Sequence, residues 1–339
     1  MKKSIPVVFI SILLVVLEKP LLAQETILSC TDSVFCVPGV MGVPRAKGLV
    51  IKREATLNYG IKSRAADPIG NANAEIKSNS RWQFKLRAPV LLKESFKIAI
   101  GLEYYTEEFR FENAENIDYP FYNNLNDRNL NSMKGEIFFV KSTLTNKYFL
   151  LRVSIGLNGD YNLDENFGKK EFLRYSFAPL FGWKQNRYLS YAVGLAYSYN
   201  FGKRSVFPLF SYNHTFNDRW GVESILPVKM KLRYNSLSEK NYFYLKTELN
   251  GANYGIHLAD VNQDLTYLDK SEVRFMLVWE REIHDWLWFG VEAGYRSNID
   301  YDVSDSYDFD VDQIINNDLK DSFIWNFSLF LVPPRKFLE

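Results

Sequence analysis

The sequence has little that would support common catalytic or metal chemistry. Its 339 residues include 3 histidines and 2 cysteines, and two cysteines are too few for a four-thiolate zinc site or a disulfide scaffold. The G-x-S-x-G, H-E-x-x-H, phosphate-loop and dinucleotide motifs are all absent from it. Lys and Arg number 41 against 40 Asp and Glu, whereas a nucleic-acid-binding domain is usually basic. We therefore predict no enzymatic activity, no cofactor and no nucleic-acid partner.

A long apolar run is also missing after the N-terminus, so no internal transmembrane helix is predicted. Lys2 and Lys3 precede an apolar stretch from Ile5 to Leu17, and Leu21-Leu22-Ala23 before Gln24 forms an acceptable signal-peptidase site. The run of ~13 residues is shorter than the ~20 that a spanning helix needs. Residues 1–23 are therefore predicted to be a cleaved export signal.

The segment after this signal, residues 24–46, has no strand pattern and contains both cysteines. In an oxidising compartment, Cys30 and Cys36 are predicted to form a small local disulfide; the alternative is two unpaired thiols in a leader. A competing hypothesis takes Ile27-Leu28-Ser29-Cys30 as a lipoprotein cleavage box with Cys30 acylated. The segment could plug a larger structure or hang free as a periplasmic leader, and the sequence does not choose between them.

The remaining chain is rich in aromatics, with 26 Phe, 21 Tyr and 7 Trp, and alternates between bulky and polar or small residues. In residues 189–201, Leu, Tyr, Val and Phe side chains alternate with Ser, Ala, Gly and Asn. This period of two indicates β-strands, because a helix would bring residues three and four apart together. Similar segments are 49–61, 76–88, 96–107, 131–145, 149–158, 173–183, 205–216, 220–232, 241–249, 252–261, 273–279, 287–295 and 323–331.

Three features favour a membrane barrel over a soluble sandwich. Many segments are longer than the ~5–6 residues of an ordinary strand, and aromatic residues such as Trp183 and Trp220 lie near strand ends, as in an interfacial girdle. The polar face also carries full charges. Since a sheet in lipid must close, we predict an all-β fold: an antiparallel, up-and-down transmembrane β-barrel over residues 47–332, followed by a C-terminal tail at 333–339.

The number of strands is inferred from alternating long and short connections. Residues 62–74, 110–130 and 161–169 are long and polar, and tight links separate them. Short periplasmic turns and long outer loops are typical of exported barrels. Splitting 241–261 at Asn250-Gly251, a hairpin-turn dipeptide, keeps this alternation. The result is about 14 strands with both termini periplasmic, and 12 is the fallback.

Charged residues on the first three segments form a candidate site. If the polar face lines the lumen, they would make a ladder of alternating charge. This ladder could select anionic or zwitterionic solutes in a pore, or it could be a salt-bridged plug in which the charges neutralise one another. Its members are Lys77, Arg81, Lys85, Arg87, Glu54, Glu103 and Glu107.

An acidic stretch between Asn298 and Asp321 offers a weaker candidate. Asp308, Asp310 and Asp312 have the spacing that opens a calcium loop, but Gln313 and Leu319 occupy the positions where such a loop needs Gly and Glu. A looser divalent-cation site is one hypothesis, and a solvated acidic outer loop is the other.

The sequence resembles a family of uncharacterised outer-membrane β-barrel proteins of the Bacteroidota, known only as a domain of unknown function. The resemblance lies in Leu21-Leu22-Ala23-Gln24, in Lys47-Gly48-Leu49-Val50-Ile51-Lys52-Arg53-Glu54 and in Glu292-Ala293-Gly294-Tyr295-Arg296. It implies a location in the outer membrane and no activity, so no functional residues are carried over from it.

Taken together, the patterns predict a protein of the cell outer membrane that is a passive channel or a transporter of small molecules or lipids. The alternative is a non-conducting structural or surface-binding barrel that acts through loops 110–130 and 298–320. A lipid-modifying enzyme that uses His214, His257 or His284 is a distant third. The expected partners are outer-membrane lipid, lipopolysaccharide and the barrel-assembly machinery, and the solute is unknown.

Overall fold

The computed structural model shows a closed antiparallel β-barrel of fourteen strands. It describes residues 39–337 apart from 94, 114, 116–117, 144–145, 162–168, 259–264 and 310. The predicted signal (1–23), Cys30 and Cys36 lie outside the described residues. Each strand pairs with its neighbours in sequence, and β14 pairs with β1, which closes the ring. Within the described residues, no helix is long and apolar enough to cross a membrane.

The first and last strands are each interrupted once, and the other twelve are continuous. β1 comprises Leu49–Thr56 and Tyr59–Ala65, and β14 comprises Gln313–Leu319 and Ser322–Leu331. A short helix, α1, spans Pro120–Asp127 between β3 and β4. The continuous strands are β2 (Ala72–Lys93), β3 (Phe96–Phe111), β4 (Leu130–Ser142), β5 (Lys147–Gly159), β6 (Leu173–Asn186), β7 (Leu189–Phe201), β8 (Lys203–Thr215), β9 (Trp220–Leu226), β10 (Lys229–Asn235), β11 (Asn241–Ile256), β12 (Thr266–His284) and β13 (Leu287–Ser304).

Because the number of strands is even, the start of β1 and the end of β14 lie at the same end of the barrel, here called the terminus end. Its turns are short: 94–95, 143–146, 187–188, 216–219, 236–240 and 285–286. The opposite end, called the loop end, carries the longer connections 66–71, 112–129, 160–172, 257–265 and 305–312, together with the tight turns at 202 and 227–228.

The predicted number of strands is confirmed, although two of its boundaries are wrong. Residues 220–234 form a hairpin of two strands, β9 and β10, that turns at Pro227-Val228. Residues 241–256 form the single strand β11, and Asn250-Gly251 pairs straight through with β12 instead of turning. The turn at 227–228 was missed and a turn at 250–251 was predicted wrongly, so the two errors leave the total number of strands unchanged. The predicted loop 298–320 is also largely strand, since only 305–312 connects β13 and β14.

The barrel is pinched near its loop end, where β7 and β11 touch across the interior. A Cβ atom on Gly251 of β11 would lie 2.1 Å from the carbonyl oxygen of Asn200 on β7. Further up, Gly255 of β11 forms a parallel bridge with Gly159 of β5. Glycine is required at this close backbone approach.

The outer face is apolar around the whole ring. Leu277 of β12 is 67% exposed, and Phe327 of β14 and Leu195 of β7 are more than half exposed. The residues between them point inward, so the bulky face predicted from the alternation is the outer one. A large exposed apolar surface with charges inside is the reverse of a soluble protein and is typical of a barrel surrounded by lipid.

Two irregularities change the inner face between the middle of the barrel and its loop end. The interruption of β1 at Leu57-Asn58 turns Tyr59 and Ile61 inward, against the alternation that the sequence predicts. A bulge at Lys77 on β2 does the same for Ile76. Because each extra residue reverses the facing of the residues beyond it on the strand, the interior changes from charged to apolar at this level.

Candidate functional site: the interior of the barrel

The predicted charge ladder lies on the inner wall, with one exception. Opposite residues such as Glu54 and Arg81, or Arg81 and Glu107, are direct cross-strand partners on β1, β2 and β3. Lys77 does not belong to this group, because it is the extra residue of the β2 bulge and is exposed. The inner group contains Glu54, Arg81, Lys85, Arg87, Glu103 and Glu107.

In the middle of the barrel, residues of the ladder form ion pairs with charged residues of β12. These partners were not predicted from the sequence. The guanidinium of Arg274 donates two hydrogen bonds of 2.8 Å to the carboxylate of Glu54, and it also pairs with Glu272. Lys270 reaches across the lumen to Glu107 with an Nζ–Oε1 distance of 2.5 Å, and Arg81 binds the other oxygen of Glu107 at 2.7 Å.

Arg296 of β13 completes this buried cluster. It lies 3.5 Å from Glu272 and stacks over the ring of Tyr59 at 4.4 Å. We call the set Glu54, Arg81, Glu107, Lys270, Glu272, Arg274 and Arg296 the central ion cluster. Buried charges are retained only when they are paired, and two of these pairs, Arg274–Glu54 and Lys270–Glu107, join strands that are not neighbours in the sheet. Within the described residues the cluster therefore bridges the middle of the lumen.

Towards the terminus end, the ion pairs keep contact with open space inside the barrel. Lys85 and Lys134 both bind Glu103, at 2.9 and 3.1 Å, and Arg87 binds Glu136 at 3.2 Å. The side chain of Arg87 is 46% exposed, whereas that of Arg274 is 5% exposed. Since these side chains point inward, their exposure indicates a charged vestibule below the central ion cluster.

Above the cluster, the loop end is filled by an apolar cap. Helix α1, which belongs to the loop predicted to lie outside as 110–130, instead packs inside the mouth of the barrel. Phe121, Tyr122 and Leu125 of α1 are fully buried against inward residues such as Ile61 and Phe109. Tyr119-Pro120-Phe121-Tyr122 is the sequence signal that could have identified this buried turn within an otherwise polar loop.

Polar contacts hold α1 in place. The hydroxyl group of Tyr122 lies 2.7 Å from the Ser63 hydroxyl and donates to the carbonyl oxygen of Ala72 at 3.2 Å. Burial raises the pKa of Tyr122 to about 12, so this group stays protonated. Asn124 donates to Asp160 at 2.8 Å, and Asp160 also accepts from the imidazole of His257 at 2.8 Å. The Asp160 carboxylate thus ties α1 to the ends of β5 and β11.

The residues just before β1 lie across the terminus end. We call residues 39–46 the N-terminal strap. The amide of Met41 donates to the carbonyl oxygen of Arg187 at 2.8 Å, and Arg45 binds Asp285 at 3.0 Å. Between them, the carbonyl oxygen of Gly42 accepts hydrogen bonds from the buried Arg233 and from Asn235. The described part of the predicted segment 24–46 is therefore bound to the barrel instead of hanging free.

The strap gives a first prediction. Gly42 has a φ of 79°, and a Cβ atom there would lie 3.2 Å from Nη1 of Arg233. We expect Gly42→Val to loosen the strap, because the left-handed backbone costs an L-residue about 1–2 kcal/mol. Trypsin cleavage after Arg45, followed by mass spectrometry in detergent, should then become about tenfold faster. Gly39→Val is the matched control, since nothing lies within 4 Å of a Cβ at Gly39; equal rates for the two variants would contradict the prediction.

The other candidate residues do not assemble into a site. Asp308 pairs with Arg204 at 2.8 Å, and Asp310 lies outside the described residues. Among the residues that the structure describes, no group of three or more His, Cys, Asp or Glu side chains could hold a metal ion. His214 contacts the hydroxyl of Tyr212 at 3.0 Å. Residues 298–320 therefore belong mainly to strands β13 and β14 and to the short connection between them.

Comparison with known proteins bears on family and fold. Residues 108–308, more than half of the chain, match the model of a family described as a domain of unknown function (DUF6268). The chain belongs to this family. The match does not show the predicted bacterial group, which stays a prediction. No curated protein matches the chain significantly.

Solved barrel structures resemble the chain weakly. The toluene transporter TodX of Pseudomonas putida is 9% identical, with 88% of this chain and 93% of that chain covered and a TM-score of 0.34. An anion-selective porin from Comamonas acidovorans is 9% identical, with 83% and 99% covered and a TM-score of 0.25. At such low TM-scores these likenesses bear on neither the substrate nor the mechanism of this DUF6268 protein.

Proposed function

We propose that this DUF6268 protein is an outer-membrane β-barrel that works as a normally closed channel or transporter for small solutes. The observation that carries the proposal is the charged vestibule, which stays open to solvent inside the barrel while the central ion cluster and the apolar cap close it above. A barrel whose only task was structural would not need ionised side chains facing interior space. The proposal includes export by residues 1–23, insertion by the barrel-assembly machinery and contact with outer-membrane lipid and lipopolysaccharide.

The cap is the part of the closure that can move. α1 belongs to a connection between two strands, whereas the ions of the central cluster are fixed on the wall. The cluster is buried because α1 and its apolar neighbours exclude water from the loop end. Once water reaches such pairs, each is worth only about 0–1 kcal/mol, so their attraction would no longer hold the lumen closed. We infer that displacement of α1 opens the path.

A non-conducting structural barrel is the second candidate function. It is favoured by the pair between Lys270 of β12 and Glu107 of β3, which joins opposite walls while both side chains are buried. Its surface-binding form is less well supported, because α1 lies inside the barrel and 305–312 is short.

Planar-bilayer conductance separates the two candidates. We expect the full chain to be silent at low voltage, and a variant with residues 112–128 replaced by a short Gly-Ser linker to conduct steadily. A matched control replaces the terminus-end turn 236–240 with a Gly-Ser linker of equal length and should stay silent. Heat-dependent gel migration checks that each variant is folded. A folded linker variant that passes no current would reject the gating role of α1 and favour the structural barrel.

A further inference from the structure

We infer that lysines on the wall of the vestibule form a binding site for an oxyanion, such as a phosphate or carboxylate group. We call Lys52, Lys229, Lys231 and Lys246 the lysine group. This inference rests on the proposed function, because it names the class of solute that the vestibule would receive. The lysine group lies on β1, β10 and β11 and contains none of the residues of the predicted ladder.

The first argument is an excess of positive charge. Two carboxylates serve the four lysines: Glu248 pairs with Lys229 at 3.6 Å and with Lys246 at 3.2 Å, and Glu292 pairs with Lys246 and Lys52. Glu54 lies 3.9 Å from Lys52, but its carboxylate already accepts both hydrogen bonds from Arg274. The group therefore carries more positive charge than the neighbouring carboxylates balance.

The second argument is the place of Lys231. It stands directly opposite Lys246 on the neighbouring strand, and like charges in this position repel. Its other cross-strand partner, Glu223, forms its ion pair with Arg233 at 3.2 Å instead. Among the described residues Lys231 forms no ion pair, and its ammonium group lies over the ring of Tyr244 at 4.9 Å. An anion between Lys231 and Lys246 would relieve this repulsion.

The third argument is access and hydrogen-bonding capacity. The side chain of Lys229 is 36% exposed to the space inside the barrel, and Lys231 is partly exposed. Each ammonium group offers three donors and no acceptor, and side chains opposite one another on adjacent strands lie about 5 Å apart at Cβ. Several donors can therefore converge on one anion. Oxygen-rich anions fit this arrangement because they accept several hydrogen bonds at once.

The N-terminal strap lies next to this group. Arg233, which binds the strap at Gly42, is two residues from Lys231 along the same strand and nearer the terminus end. An anion that enters from the terminus end would pass the strap before it reaches the lysine group. The N-terminal strap and the lysine group therefore lie one after the other on the same path into the barrel.

Isothermal titration calorimetry of the full chain in detergent tests the inference, with inorganic phosphate as the probe and chloride at equal ionic strength as the reference. We expect saturable phosphate binding that Lys231→Gln weakens by about tenfold or more, since a hydrogen bond to a charged group contributes about 1.5–3 kcal/mol. Lys77→Gln is the matched control, because it removes the same charge at an exposed bulge, and it should bind like the wild type.

The outcomes are separable from those of the conductance experiment. Absence of saturable binding of both phosphate and a short-chain phosphatidylglycerol, or equal binding by the two variants, would overturn the anion site whether or not the barrel conducts. Phosphate binding by the full chain, together with a folded 112–128 linker variant that passes no current, would instead keep the site and reject the channel. A second titration uses a short-chain phosphatidylglycerol below its micellar concentration. Binding confined to this lipid and lost in Lys231→Gln would make the oxyanion a lipid head group.

Discussion

An arginine in place of Leu277 is expected to lower the free energy of unfolding by about 2–4 kcal/mol, the cost of a cation on the lipid face of a barrel at mid-bilayer. Leu277 is 67% exposed and lies in the middle of β12, which runs from Thr266 to His284. In water, a substitution at so exposed a position would change stability by less than about 0.5 kcal/mol. The size of the loss in unfolding free energy therefore shows whether lipid or water surrounds the strand.

Urea unfolding of the barrel in lipid vesicles, followed by tryptophan fluorescence, provides the measurement. Leu237→Arg is the matched control, because Leu237 is 81% exposed but lies in the terminus-end turn 236–240. We expect this second variant to unfold near the wild-type midpoint. If both variants behaved alike, the apolar outer face would not be in contact with lipid, and the membrane location proposed for the protein would fail.

The strands were largely predictable because the physical signal is local. On β7 the residues Tyr191, Val193 and Leu195 alternate with small ones, and the structure places the bulky set outside. Turns were less predictable. Asn250-Gly251 has the sequence of a hairpin turn, but the glycine is needed there for close approach to β7. The local sequence of this dipeptide favours a turn, whereas the close packing against β7 requires it inside a strand. The packing determines the structure.

The facing of residues near the loop end could not be predicted from alternation. At β1 and β2, one irregularity on each strand reverses the facing, and the sequence around Asn58 and Lys77 gives no sign of either. This is why alternation alone predicts Lys77 in the lumen and would place Tyr59 on the outer face. The aromatic turn at 119–122 was the available signal that the loop end is filled, since such residues are rarely exposed together.

The candidate site shows the same division between local and long-range information. Glu54, Arg81 and Glu107 could be placed on one inner face because β1, β2 and β3 are neighbours in sequence. The partner of Glu54, Arg274, is 220 residues away in sequence, and only the closed ring brings the two together. The lysine group was missed for a related reason, since its excess charge becomes visible only when β10, β11 and β1 are seen around one space.

Removal of the Arg274 side chain is expected to give the largest loss of stability. Arg274→Met leaves Glu54 and Glu272 buried without their main cation, and breaking a buried pair in this way costs about 3–5 kcal/mol. The matched control is Arg335→Met. Arg335 also binds two carboxylates, Glu282 and Asp285, at 2.6 and 2.8 Å, but its side chain is 45% exposed. Exposed pairs contribute about 0–1 kcal/mol, so this control should unfold close to the wild type.

A double variant shows whether the loss comes from unpaired charge and not from lost packing. Glu54→Gln removes one of the two stranded charges, so Arg274→Met with Glu54→Gln should be more stable than Arg274→Met alone, as a double-mutant cycle in vesicles can measure. Equal losses for Arg274→Met and Arg335→Met would mean that water already reaches the middle of the lumen. The central ion cluster would then not close the barrel, and α1 alone would separate the vestibule from the loop end.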